Sequence, residues 1–108
     1  MAAEPGDAMR LDRFLWFARL TRTRGHAQAL AEAGHLRIDG RRIDRAHAPV
    51  RIGSVIAFAD HRGQVRVVRV ERLPPRRGPP AEGRACYADL RAAEPLKIEN
   101  GSQNEPFD

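Results

Sequence analysis

The sequence predicts an α+β domain: two packed amino-terminal helices on a small antiparallel sheet, followed by a short carboxy-terminal helix and a disordered tail. Three observations point there. Apolar residues recur at helical spacing between positions 11 and 31, alternation around turn residues takes over between 35 and 70, and prolines then acidic polar residues end both patterns beyond 73.

Residues 1–8 are small and acidic and are expected to be disordered. Leu11, Phe14, Leu15 and Ala18 then follow the i, i+3, i+4, i+7 spacing of one helix face. On the same wheel Arg10, Arg13 and Phe17 gather opposite, with Trp16 and Arg19 on the flanks, so the wet face of this helix is cationic and partly aromatic. Thr23 can cap a second helix, in which Ala27, Leu30 and Ala31 form the buried stripe and Gly34 the left-handed stop. The connection carries Arg22 and Arg24 beside the amino-terminal end of that helix, where unpaired backbone N–H groups already favour an anion.

Leu36, Ile38 and Ile43 alternate with polar residues around Asp39-Gly40, a hairpin signal that sets Leu36 opposite Ile43 and Arg37 opposite Arg42. Like charges facing across a sheet cost from a few tenths to ~1 kcal/mol, which an anionic partner would relieve. Residues 55–59 read as a buried strand, and 65–70 as a further strand whose Val67-Val68 slip implies a β-bulge or two-sided burial. These elements form one unit over 10–72. Residues 73–80, half of them proline, cannot continue a sheet and read as a basic linker. Residues 81–94 are expected to form a short helix with Cys86, Leu90 and Tyr87 turned inward, and 95–108 an acidic, disordered tail.

Charge is the feature that composition does not explain away. The 108 residues hold 19 bases and 14 acids, a net charge of +5. Residues 1–80 carry 16 arginines against 8 acids, whereas 81–108 carry three bases against six acids. A folded, basic segment implies a polyanionic partner. No run of 18 apolar residues and no signal-like amino terminus is present, so no membrane partner and a cytoplasmic location are expected.

Catalysis is short of candidates. Cys86 is alone, the four histidines have no ligand spacing, and Asp12, Asp39, Asp44 and Asp60 all fall at helix starts or turns, where Asp caps and turns the backbone. Ser54 has no activating base, and no glycine-rich phosphate loop follows a strand. No enzyme activity, cofactor, metal or small-molecule substrate is expected. The predicted binding face is Arg10, Arg13, Arg19, Arg22, Thr23, Arg24, Gln28, Arg37, Arg41 and Arg42, with His26, Arg76 and Arg77 as additional contacts. Trp16 and Phe17 could stack on an unpaired base, but packing against the Pro-rich segment or the last helix is the preferred reading.

The order Arg10-Leu11-Asp12, Leu15, Thr23-Arg24, Ala27, Gly34, Leu36, Ile38, Asp39-Gly40, Val50, Gly53 and Ile56 resembles the S-four RNA-binding domain, the αL RNA-binding motif, over 10–58. Asp39 stands where asparagine is commoner, and Gly25 where a better helix former is usual. The resemblance implies that the helical pair and the hairpin bind structured RNA. Leu15-Trp16, Arg22-Thr23-Arg24, Arg76-Arg77 and Tyr87 are similar to the heat-shock protein fifteen group of that family. This closer likeness implies binding to ribosomal RNA on the large ribosomal subunit, with peptidyl-tRNA a further candidate partner, in rescue or recycling of subunits holding a stalled nascent chain under stress. A monomer is expected. Alternatives are an accessory RNA-binding module for tRNA or rRNA processing and a DNA-binding helix-turn-helix protein; the alanine-rich second helix, GHAQALAEAG, offers little for base readout in DNA.

Overall fold

The computed structural model describes residues 8–60 and 62–90. In chain order these form β1 (Ala8–Arg10), α1 (Leu11–Phe17), α2 (Arg24–Glu32), β2 (Leu36–Ile38), β3 (Arg41–Ile43), β4 (Pro49–Arg51), β5 (Val55–Ala59), β6 (Val65–Val70), α3 (Pro80–Arg84) and β7 (Tyr87–Asp89). A five-stranded antiparallel sheet has the order β3-β2-β5-β6-β7, and β1 pairs separately with β4.

The helical spacing produces the core directly. Leu11, Phe14, Leu15 and Ala18 are all buried, and Ala27 and Ala31 of α2 join them in one cluster with Leu36, Ile56, Phe58, Val68 and Val70 from the sheet. Alanine on α2 allows a close approach to α1, which leaves the polar residues of both helices at a common seam. α2 ends where Gly34 takes φ 86°. The hairpin forms in the expected register, Leu36 opposite Ile43 and Arg37 opposite Arg42. Asp39 and Gly40 both adopt positive φ, 52° and 84°, as a two-residue turn of this kind requires.

The pairing of β5 with β6 is unbroken from Val55 opposite Arg69 to Ala59 opposite Val65, so the Val67-Val68 slip marks two-sided burial and no bulge. Val68 and Val70 are buried, while Val67 on the other face is half-buried.

Two elements differ from expectation. The pairing of Met9 with Val50 gives residues 8–10 a strand just before α1. This clip continues as Leu11 N–H donates to the Ala48 carbonyl at 2.8 Å and Asp12 N–H to the Ala46 carbonyl at 3.0 Å, satisfying donors that the start of a helix leaves open. The segment expected as one helix over 81–94 is instead the five-residue α3 followed by β7, whose Tyr87 lies opposite Val70 on the outer edge of the sheet. Pairing that open edge satisfies β6 backbone groups, a gain unavailable to a longer helix. Cys86 is buried as expected, Tyr87 reaches half-burial from a strand, and residues 91–94, the acidic tail, residues 1–7 and His61 lie outside the described residues.

Candidate nucleic-acid interface

Asp12 organises the seam between the helices. Its fully buried carboxylate accepts Arg10 Nε and Nη2, each at 3.0 Å, the Arg13 backbone N–H at 2.8 Å and Gln28 Nε2 at 3.4 Å. Arg24 Nε stands 3.7 Å from Oδ2; it is buried and has no hydrogen-bond partner. Burial raises the Asp12 pKa, but the hydrogen bond and charge of Arg10, with Gln28 and the Arg13 N–H, outweigh it and hold the carboxyl below its usual value. Arg10, Arg24 and Gln28 are thereby brought together, as the sequence expects. A single carboxylate faces two arginines whose side chains remain 44% and 38% exposed, so the cluster stays cationic toward solvent.

Arg13 and Arg22 are exposed and make no ion pair among the described residues. Thr23 uses its hydroxyl to accept the His26 N–H at 3.0 Å, the expected cap. Thr21, nearly buried, donates its hydroxyl to the Thr23 carbonyl at 3.1 Å and steadies the loop that carries Arg22. Arg22 and His26 rim a recess of about 230 Å³ between α2 and the end of β5, floored by Leu20, Leu30 and Phe58.

On the hairpin, Arg37 Nη1 donates to the Gly40 carbonyl at 3.0 Å, which turns it toward the tip and eases its opposition to Arg42. Arg41 and Arg42 are exposed and without an ion pair among the described residues. Asp39 Oδ1 accepts the Val55 N–H at 2.9 Å, so this carboxylate is spent on tying the turn to β5.

The linker arginines have other work. Arg77 Nη1 donates to the carbonyls of Trp16 and Thr21, and its guanidinium lies 5.7 Å from the Trp16 ring centroid. Burial, then the neighbouring charge of Arg19, lowers the Arg77 pKa from its ordinary value. Arg77 therefore clamps the linker to the end of α1, where helix carbonyls are open acceptors. Arg19 leaves α1 at φ 63° and donates Nε to the Gly78 carbonyl at 2.7 Å. Arg76 pairs with Glu82 at 3.3 Å. These three sit at the carboxy-terminal end of α1, the Asp12 cluster at its start. Phe17 lines a recess with Pro74 and Pro75, and Arg77 of the same segment lies over the Trp16 ring, so both rings face the Pro-rich segment. Arg45 and Arg51, which the sequence analysis did not place, line a groove behind the hairpin with Arg41, and Arg51 projects from β4, a strand too short to read from sequence.

Residues 9–56 match the S4 domain family. The small ribosomal subunit protein uS4 of Limosilactobacillus reuteri, in two strains, is 32% identical over 60 residues, 56% of this chain and 30% of the ribosomal protein's length. Among solved structures, heat shock protein 15 of Vibrio cholerae, described as trimeric, superposes with a TM-score of 0.68 at 26% identity, covering 80% of this chain and 93% of that one. The segment that matches the S4 domain thus holds the helical pair, the Asp12 seam and the Asp39-Gly40 hairpin, and the fold around it is similar to that of heat shock protein 15.

Proposed function

We propose that the chain is an RNA-binding protein of the ribosome that acts by occupancy, without catalysis. The observation that carries this is the surplus of guanidinium groups on the S4 unit: Arg10 and Arg24 share one carboxylate, while Arg13, Arg22, Arg41 and Arg42 have none among the described residues. Such a surplus is self-repelling, and phosphates relieve it. Arg10, Arg13, Arg22, Arg24, Arg41 and Arg42 supply phosphate contacts; Gln28 and Arg37 orient neighbours, Thr23 fixes the loop, and His26 flanks Arg22. Contacts of this kind position a backbone and favour shape over sequence. The binding unit in this reading is a monomer, whereas the similar heat shock protein 15 is described as trimeric.

The similarity to heat shock protein 15 supports the finer reading of a factor bound to large ribosomal subunits, in the cytoplasm, in the rescue or recycling of subunits that retain a stalled nascent chain on tRNA. Co-sedimentation tests it. Arg22→Ala with Arg24→Ala should remove the protein from the large-subunit peak of a sucrose gradient while leaving the fold intact, and subunits bearing peptidyl-tRNA should retain more wild-type protein than empty ones. Normal co-sedimentation of the double variant would refute the binding edge. Duplex DNA competing as well as ribosomal RNA would refute the preference for RNA.

A further inference from the structure

Arg45 and Arg51 have no place in the face described so far, yet they share a groove with Arg41. It opens between β3, the following loop and the β4–β5 turn, and its volume is about 590 Å³. All three side chains are exposed and make no ion pair among the described residues. The lining does contain a carboxylate, Asp39, but its Oδ1 is turned to the Val55 N–H at 2.9 Å. Ser54 accepts the Arg51 N–H at 3.0 Å and fixes the turn from which Arg51 projects. The groove therefore sets three guanidinium groups against one carboxylate on a fixed frame and keeps a net positive charge.

We infer that this groove is a second nucleic-acid site, holding the sugar–phosphate backbone of an RNA segment other than the one on the α1–α2 seam. Guanidinium groups grip phosphate oxygens in pairs of parallel hydrogen bonds. Ile38, Ile43 and Pro49 give the same groove apolar surface on which ribose can rest. Arg41 belongs both to the hairpin face and to this lining, so the two sites meet there, and one folded RNA can occupy both. The inference rests on the RNA reading above and adds to it a second backbone contact. An acidic polypeptide would satisfy the charge but would gain less from paired guanidinium forks and a ribose-sized apolar floor.

The test measures binding of labelled ribosomal RNA against salt for the full chain. Arg45→Gln with Arg51→Gln should weaken binding about tenfold near 150 mM salt and flatten the plot of log affinity against log salt by about 1.4 to 1.8, the loss expected for two phosphate contacts. Arg62→Gln with Arg84→Gln removes the same charge from exposed positions elsewhere and should change affinity by less than about twofold. Arg45→Lys with Arg51→Lys keeps the slope while losing part of the affinity, which separates contact from folding. An unchanged slope in the glutamine variant overturns the inference and leaves the RNA reading standing. Equal losses in both glutamine pairs overturn it in favour of net charge alone. Poly-glutamate displacing the RNA as well as unlabelled RNA does assigns the groove to an acidic polypeptide and also overturns it. Failure of the wild type to bind RNA at all removes the parent reading, and is visible before any variant is compared.

Discussion

Arg24 Nε lies 3.7 Å from Asp12 Oδ2, across the seam where α1 meets α2, and buried there it has no hydrogen-bond partner. One carboxylate thus faces both Arg10 and Arg24, joins the two helices and leaves part of their charge unspent. The same residue that holds the helices together fixes the direction in which their arginines point.

Replacing Asp12 by alanine should therefore cost more than an exposed charge would. It strands Arg24 Nε, Gln28 Nε2 and the Arg13 N–H, while Arg10 and Arg24, partly exposed, recover some hydration. A loss of roughly 1–3 kcal/mol is expected. Urea unfolding measures it as a lower midpoint with an unchanged slope; a midpoint within error of the wild type would show that the seam is held by apolar packing alone.

Acid should act through the same carboxyl. Its pKa is depressed in the fold, so its stabilisation is complete above the unfolded value of about 4. As pH falls the unfolded chain binds a proton first, and stability declines until the folded Asp12 is protonated too. Asp12→Asn should be less stable than wild type at neutral pH and show a shallower acid limb. Parallel stability curves for the two proteins would contradict the assignment.

Arg77→Ala should release the linker from α1. Two carbonyl acceptors and the contact with the Trp16 ring are lost, at about 1–2 kcal/mol. Trp16 is the one tryptophan of the chain, so its emission should shift to the red. Arg77→Lys restores the charge but not the planar stack and should rescue only in part. An unaltered emission spectrum in Arg77→Ala would mean that the clamp does not form in solution.

Two glycines that follow Arg77 should respond differently. A Cβ at Gly83 would stand 2.9 Å from the Ala18 carbonyl oxygen, backbone that cannot move aside, so Gly83→Ala should push α3 off α1 and destabilise by about 1–3 kcal/mol. At Gly78 the obstacles are the ends of the Glu82 and Arg76 side chains, which can swing away, so Gly78→Ala should be nearly neutral. Thermal melts of the pair decide this, and the reverse order would show that α3 packs differently.

How much of this was legible depended on whether a signal was local. The Leu11, Phe14, Leu15 and Ala18 stripe, the Thr23 cap and the Asp39-Gly40 turn act over a few residues, and the structure reproduces them with the expected register. β1 and β4 are three residues each and pair across forty residues of chain, and neither has an alternation long enough to read. Tyr87–Asp89 becomes a strand because β6 has an open edge, a fact located in another part of the sequence. For the site, charge and spacing put Arg10, Arg24 and Gln28 on one face, and the structure gathers them around Asp12, but nothing local reveals that Arg77 finds helix carbonyls while Arg45 and Arg51 line a groove with Arg41. Arg77 read only as part of a basic linker because the carbonyls that hold it, those of Trp16 and Thr21, lie some sixty residues earlier.

The most direct test of the cationic face is arginine footprinting: an arginine-selective dicarbonyl reagent applied to the protein alone and bound to purified large ribosomal subunits, with the modified positions read by mass spectrometry. Arg13, Arg22, Arg41 and Arg42 should be reactive in the free protein and protected in the complex, with Arg62 and Arg84 equally reactive in both. Protection confined to Arg62 and Arg84, or no change at the four, would contradict the account.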